Sequence, residues 1–187
     1  MMITNLEELH SCLSADALHY EKRTSGRLKR IRNSLCVDPI SNQKNIWNYI
    51  KTLRYVEFYT NRHKTWEIPL LIYYRCKLNR LAYKTGFQIP PNVVGPGLTI
   101  WHWGTIIINE RTRIGKNVVL NPLVVIGHKT PGGGCPIIGD DCFIGCGAKI
   151  FGDIRIGNHV TIAPNAVVVK NVPDGMTVGG IPAKSLK

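Results

Sequence analysis

The sequence lacks the features that define several classes of protein. No uninterrupted apolar run approaches the roughly 18 residues that a membrane-spanning helix needs. The first residues, Met1–Glu8, carry no basic segment followed by an apolar one, so we expect no secretory signal and a cytoplasmic protein. The six cysteines include no C-x-x-C pair, which disfavours a zinc ribbon and a disulfide framework and favours small buried hydrophobes.

Acidic residues are also scarce. The 187-residue chain has 12 of them against 24 lysines and arginines, which gives a formal net charge of +12. Six of the basic residues lie between Lys22 and Arg32. Such a field attracts polyanions in general, so the basic N-terminal half could contact an anionic membrane surface or an acidic glycan. A solvated helix face explains the charge equally well, and no nucleic-acid-binding motif accompanies it, which disfavours nucleic acid as a partner.

Residues 1–88 follow the spacing of amphipathic helices. We expect three helices: one capped by Thr4 or Asn5, one capped by Ser41 or Asn42, and one from Pro69 to Lys84 that stops at Gly86. The aromatic residues of this region are expected in the core or at an interface rather than in a ligand site. They include Trp47, Tyr55, Phe58, Tyr59, Tyr73 and Tyr74.

Over residues 89–187 a six-residue period replaces the helical one. Ten aliphatic residues share one register: Ile108, Ile114, Leu120, Ile126, Ile138, Ile144, Ile150, Ile156, Ile162 and Val168. A small or aliphatic residue follows most of them four positions later. This period is typical of hexapeptide-repeat solenoids, in which three hexads complete a triangular coil of roughly 18 residues. We therefore predict a mainly β protein, with an α-helical region over 1–88 and a β-helix of about five coils over 89–187. The segment Gly127–Pro136 interrupts the ladder and predicts an ejected loop.

Three motifs resemble the serine acetyltransferases, a family of hexapeptide-repeat enzymes. They are Gly97–Asn109 around His102, Ile138–Ile150, and the C-terminal stretch 170–184. The basic and aromatic first half is more similar to the short O-acetyltransferases of capsule and lipopolysaccharide gene clusters. The resemblance implies a left-handed parallel β-helix, acetyl-CoA as the acyl donor, no metal, and a homotrimer whose sites lie between subunits.

Two positions depart from the serine acetyltransferase pattern. Trp101 stands where that family carries an aspartate directly before the histidine, and Cys135 stands where it carries a histidine before a proline. Both family residues help to hold free serine. An indole beside His102 suits a sugar ring, so we predict an O-acetyltransferase acting on a hydroxyl of a surface polysaccharide or its precursor. Trp101 and Trp103 would then contact the acceptor. Serine is the alternative acceptor, and N-acetylation of an amino sugar comes third.

The chemistry requires a base, a donor to the oxyanion and a cofactor site. His102 is the predicted general base, since an imidazole with a reference pKa of about 6.5 can take the hydroxyl proton near neutral pH. Glu110 is the group that could orient it. Backbone amides of the glycine-rich corner near Gly127, or His128, could donate to the oxyanion, and His128 could instead act as a second acid or base. The resemblance places the pantetheine arm against Cys146 and Pro164. The other expected cofactor-binding residues are Gly127, Lys149, Lys170 and Lys184, with the lysines near the phosphates.

Two rival classes stay open. A metal enzyme of the carbonic anhydrase type needs three convergent histidines, whereas His102, His128 and His159 include no closely spaced pair. A non-catalytic β-helix protein would not need the His102 motif or the C-terminal lysines.

Overall fold

The computed structural model describes residues 2–21 and 43–186. The basic cluster between Lys22 and Arg32 and the cap candidates Ser41 and Asn42 lie outside the described residues. Helix α1 spans Leu6–Glu21, α2 spans Gln43–Arg62 and α3 spans Ile68–Thr85, with a 3₁₀ turn, Thr65–Glu67, before α3. Within these ranges no helix has both the length and the apolarity that crossing a membrane requires.

The helix ends follow the sequence signals. Asn5 Oδ1 accepts a hydrogen bond from the Glu8 amide at 2.9 Å, and Glu8 Oε2 accepts one from the Thr4 amide at 2.7 Å, which is a reciprocal cap. Helix α3 ends because Gly86 adopts a left-handed φ of +80° and its amide bonds to the Ala82 carbonyl at 2.8 Å. The predicted cap at Asn5 and the predicted stop at Gly86 are therefore confirmed.

Fourteen short strands follow in the described part of the chain. They are β1 Phe87–Gln88, β2 Thr99–Ile100, β3 Ile106–Ile108, β4 Arg113–Ile114, β5 Val119–Leu120, β6 Val125–Gly127, β7 Ile137–Ile138, β8 Phe143–Ile144, β9 Lys149–Phe151, β10 Arg155–Ile156, β11 Thr161–Ile162, β12 Val167–Val168, β13 Thr177–Gly179 and β14 Lys184–Ser185.

The strands form the three faces of a left-handed parallel β-helix. One face has the order β1-β3-β6-β9-β12 and a second has β2-β5-β8-β11-β13, closed by the antiparallel β14. The third has β4-β7-β10, extended at its two ends by the bridges Val94–Ile114 and Ile156–Val172. Each face therefore has five parallel rungs, which confirms the predicted five coils.

The interior of the prism is the predicted aliphatic ladder. All ten residues of the register are at most 6% exposed, because each points inward where the next coil covers it. Away from the loop the coils repeat after 16 to 20 residues, as in the 18 between Ile138 and Ile156, but the rung from Ile114 to Ile138 takes 24. The six additional residues lie in the segment between β6 and β7, where residues 128–132 are exposed. The predicted ejected loop is confirmed.

A buried ionic network joins the helices to the first coil. Arg54 Nε bonds to Asp16 Oδ2 at 2.7 Å, and Arg54 Nη1 bonds to Glu57 Oε2 at 3.0 Å. Asp16 Oδ1 in turn accepts the backbone amides of Gly97 and Leu98 at 2.8 and 2.9 Å. Burial alone would lower the pKa of Arg54, but the two carboxylates raise it, so the guanidinium stays charged. Helices and coils share one hydrophobic core, and the division at residue 88 stays a prediction.

Candidate active site

Residues Trp101–Thr105 form the corner between β2 and β3 and carry His102. All three side chains of Trp101, His102 and Trp103 are exposed, the two indoles by 37% and 53%. Gly104 lets the corner turn, because its φ is +141° and a Cβ there would lie 3.1 Å from Pro122. The corner therefore presents the predicted base on the surface of the prism.

Tyr20 of α1 fixes the strand that leads into this corner. Its hydroxyl accepts a hydrogen bond from the Ile100 amide at 2.8 Å and donates one to the Ile100 carbonyl at 3.0 Å. The ring stacks on Trp47 with centroids 5.6 Å apart. Burial raises the pKa of Tyr20, which keeps the hydroxyl protonated and able to donate. Sequence reasoning missed Tyr20, because no local pattern links it to a strand 80 residues away.

The corner of His102 is the first in a stack of corners along one edge of the prism. We call the residues 101–105, 121–124, 145–148 and 163–166 the tryptophan edge. Backbone hydrogen bonds connect its levels, from Gly147 N to Pro122 O at 2.9 Å and from Asn165 N to Cys146 O at 2.8 Å. Cys146 and Pro164 are exposed on this edge, below His102. The structure therefore brings the two residues expected against the pantetheine into line with the expected base.

The three predicted lysines lie in different places. Lys149 Nζ donates to the carbonyls of Leu123 and Gly147 at 2.7 and 3.0 Å, so its ammonium supports the tryptophan edge. Lys184 is exposed in β14, where it pairs in register with Gly179. Lys170 is exposed after β12, at the opposite end of that sheet from the tryptophan edge.

Glu110, His128 and Lys170 belong to a second edge of the prism. We call the residues 109–112, 128–136, 152–154 and 169–171 the loop edge. The sheet that contains β3 separates the two edges, and a strand rise of about 3.3 Å per residue puts them roughly 13 Å apart. Within one chain, His102 is therefore out of hydrogen-bonding reach of Glu110 and His128. Glu110 could orient His102 only across a contact between two chains, and that role stays a prediction.

Asn109 organises the loop edge. Its Oδ1 accepts hydrogen bonds from the Arg111 amide at 2.9 Å and from the Cys135 thiol at 3.3 Å. Since the oxygen is occupied by two donors, the amide nitrogen Nδ2 faces His128 Nδ1, at 3.1 Å, and donates to it. The His128 proton then resides on Nε2, so this histidine is a hydrogen-bond donor toward solvent. The sequence pattern gave no signal for Asn109, which occupies an ordinary corner position.

Gly127 differs from its expected place in an open loop. It is buried at the end of β6, in register with Phe151, and its carbonyl accepts the Gly152 amide at 3.0 Å. The glycine-rich corner therefore begins after Gly127.

Two surface cavities lie away from His102. One, of about 350 Å³, opens at the turn between α2 and α3, and the other, of about 210 Å³, opens beside Val94.

Two of the described cysteines are unreactive for a physical reason. Burial raises the pKa of the Cys12 thiol to about 12 and also raises that of Cys142, so both stay protonated. Cys76 and Cys146 are exposed, contrary to the expectation of buried hydrophobes. In the described ranges, 2–21 and 43–186, no three His, Cys, Asp or Glu side chains are grouped so as to hold a metal ion. That no metal is required stays a prediction.

Comparison with known proteins agrees with the fold. Residues 135–170 match the family model of the bacterial transferase hexapeptide (six repeats). Serine acetyltransferase of Staphylococcus aureus (strain Mu50) is 34% identical over 148 residues, which cover 73% of this chain and 70% of the relative. That of Helicobacter pylori (strain J99) is 38% identical over 113 residues, 58% of this chain and 66% of the relative. The chain belongs to the serine acetyltransferase family.

A solved structure extends the likeness to the helical region. Neisseria gonorrhoeae serine acetyltransferase in complex with serine is 29% identical, with a TM-score of 0.65 over 97% of this chain and 70% of that one. The left-handed β-helix, the transferase class and acetyl-CoA as the acyl donor are thereby confirmed.

The predicted acceptor, a sugar of a surface polysaccharide, is wrong. The curated relatives are serine acetyltransferases, and the gonococcal structure is a complex with serine. The resemblance to capsule and lipopolysaccharide enzymes is not supported either. The error has a physical reason: an indole offers one flat apolar surface to a sugar, to a cation or to another chain, so Trp101 and Trp103 do not select among these.

Proposed function

We propose that the protein transfers the acetyl group of acetyl-CoA to the hydroxyl of serine, in a homotrimer whose active sites lie between chains. One observation carries the arrangement: the base and the pantetheine residues lie on the tryptophan edge, whereas His128 and Lys170 lie on the loop edge. In a ring of chains the loop edge of one can face the tryptophan edge of the next. The cytoplasmic location expected from the sequence stays a prediction.

His102 is the general base in this proposal. Its ring takes the hydroxyl proton of serine as the oxygen attacks the thioester carbonyl, and a tetrahedral intermediate forms. His128 of the neighbouring chain donates its Nε2 proton in a hydrogen bond to the oxyanion. When the carbon–sulfur bond breaks, the intermediate collapses to O-acetylserine, and the protonated His102 gives its proton to the departing thiolate, which leaves as CoA.

The acceptor needs partners for its two charges, because Trp101 and Cys135 replace charged or titratable family residues. We assign the ammonium group to the exposed faces of Trp101 and Trp103, through cation–π attraction. We assign the carboxylate of serine to Arg111 on the loop edge. Arg111 is exposed, and the hydrogen bond from its Nη1 to the Gly132 carbonyl is long, at 3.4 Å.

The residues that we propose bind acetyl-CoA are also divided between the two edges. Cys146 and Pro164 line the path of the pantetheine arm, with Lys184 at the same end of the sheet as the tryptophan edge. Lys170 of the neighbouring chain contacts the phosphates of the cofactor. Lys149 acts indirectly, since its ammonium already holds two carbonyls of the tryptophan edge.

Release of CoA thiol, measured with acetyl-CoA and a panel of hydroxyl acceptors, tests the proposal. We expect turnover with serine. His102→Ala should lower kcat by about 10²- to 10⁴-fold, the usual contribution of a general base, with acetyl-CoA binding retained. His159→Ala is the matched control, because His159 is an exposed histidine on the remaining edge. Turnover of another hydroxyl but not of serine would overturn the acceptor, and an active His102→Ala enzyme would overturn the base.

A further inference from the structure

Helix α3 turns an apolar stripe away from the protein. Its buried or half-buried side chains, such as Leu78, Leu81 and Thr85, face α2 and β1. At 100° per residue the opposite side carries seven residues, which we call the outer face. They are Pro69, Ile72, Tyr73, Cys76, Asn79, Arg80 and Tyr83.

The outer face is unusually exposed for its composition. Ile72 is 56% exposed, Tyr73 57% and Tyr83 92%, and Trp66 in the preceding turn is 69% exposed. A run of large apolar side chains on one surface marks a site of contact rather than scattered exposure. Tyrosine and tryptophan combine an apolar ring with a polar atom, which suits the boundary between lipid and water.

The charges around this face have one sign. Helix α3 contains no Asp or Glu, but it contains Arg75, Lys77, Arg80 and Lys84. The acidic residue nearest in sequence, Glu67, is 3% exposed and paired with Arg62 at 3.0 Å, so it presents little negative charge at the surface. The outer face is therefore a mainly apolar and aromatic stripe that contains Arg80 and is bordered by further cations.

We infer that the outer face docks on an anionic lipid bilayer. The rings and Ile72 would enter the headgroup region, and the flanking lysines and arginines would extend to the lipid phosphates. A second copy of the chain fits this face less well, because two outer faces in contact would bring cations together without acids between them. The net charge of +12 acts in the same direction.

Co-sedimentation of the full chain with vesicles tests the inference. We expect binding to vesicles of phosphatidylcholine with a quarter phosphatidylglycerol, little binding to pure phosphatidylcholine, and weaker binding as salt increases. Each cation near an anionic surface is worth about fivefold in partition, so Arg80→Glu/Lys84→Glu should lose roughly 25-fold or more. Tyr73→Ser/Tyr83→Ser should lose affinity for the anionic vesicles while the salt dependence persists.

A matched control separates docking from overall charge. Lys116→Glu/Arg155→Glu makes the same change in net charge at exposed residues of the β-helix, and it should bind nearly as well as the unmodified protein. Circular dichroism and acetyl transfer without vesicles should be unchanged in all three variants, since none alters the proposed site. Equal losses in the two charge variants, or equal binding to both kinds of vesicle, would overturn the inference. So would a smaller oligomer of the outer-face variants in light scattering, which would make the face a contact between copies.

Discussion

The two edges of the prism that carry the proposed site are built differently. The tryptophan edge is regular: backbone hydrogen bonds connect its levels, and Tyr20 holds Ile100, the residue before Trp101. The loop edge contains the six-residue insertion, and the side chain of Asn109 contacts Arg111, Cys135 and His128 there. A base and a thin pantetheine arm need fixed positions, which a stacked edge provides. The groups that recognise an acceptor can lie on a loop, where sequence varies at little cost to the fold.

The largest effect expected from this contrast is complementation between two defective chains. His102→Ala damages only the tryptophan edge, and His128→Leu damages only the loop edge, where loss of an oxyanion donor should cost about 10²- to 10³-fold in kcat. In an equimolar mixture of the two chains, about a quarter of the interfaces in a cyclic oligomer would combine two intact edges. Refolded mixtures should therefore recover about a quarter of the normal activity with acetyl-CoA and serine.

Each chain refolded alone is the control and should stay inactive. If mixing restores nothing beyond the average of the two defective enzymes, the two edges do not meet between chains.

The next effect concerns how Asn109 sets the proton of His128. Asn109→Asp has nearly the same shape but offers only acceptors, so His128 would carry its proton on Nδ1 and turn a lone pair toward the oxyanion. We expect kcat to fall by about 10- to 100-fold, with little change in the KM for acetyl-CoA.

The dependence on pH gives this prediction a signature. The new carboxylate favours the imidazolium, in which both ring nitrogens carry protons, and a lower pH populates this form further. The ratio of variant to unmodified kcat should therefore rise as the pH falls, whereas a merely distorted loop would give a constant ratio. A constant ratio would contradict the proposed donor role.

Much of the fold follows from sequence alone, because it depends on a repeated local rule. Each hexad must bury one aliphatic residue, so the register from Ile108 to Val168 predicted the ladder, and its interruption at Gly127–Pro136 predicted the loop. Gly86 could be identified as a helix stop because glycine, which has no Cβ, adopts a left-handed conformation with the least steric strain.

The parts that could not be predicted depend on contacts between distant residues. Asp16 and Arg54 are ordinary helix residues until they meet at 2.7 Å under the first coil. To predict that His102 is separated from Glu110 and His128, one must know which corner of the prism each hexad occupies. The acceptor was missed because an indole beside the base is compatible with several ligands, and the residues that would discriminate lie on another edge.

The smallest effect expected is also the most specific, because the chain contains its own control. Tyr20 and Tyr49 each make a pair of hydrogen bonds to the backbone of one residue, in β2 and just after β1. Tyr20 bonds to the amide and the carbonyl of Ile100, and Tyr49 accepts the Ile89 amide at 3.2 Å and donates to its carbonyl at 3.4 Å. Tyr20→Phe and Tyr49→Phe each leave a buried amide and carbonyl unpaired, so each should cost about 1–3 kcal/mol of unfolding free energy. Only Ile100 precedes the corner of His102, so only Tyr20→Phe should also lower kcat, by about threefold to tenfold, with the KM for acetyl-CoA unchanged. Urea unfolding and steady-state kinetics on both variants check this. Equal kcat values in two equally destabilised variants would mean that α1 stabilises the fold without positioning the base.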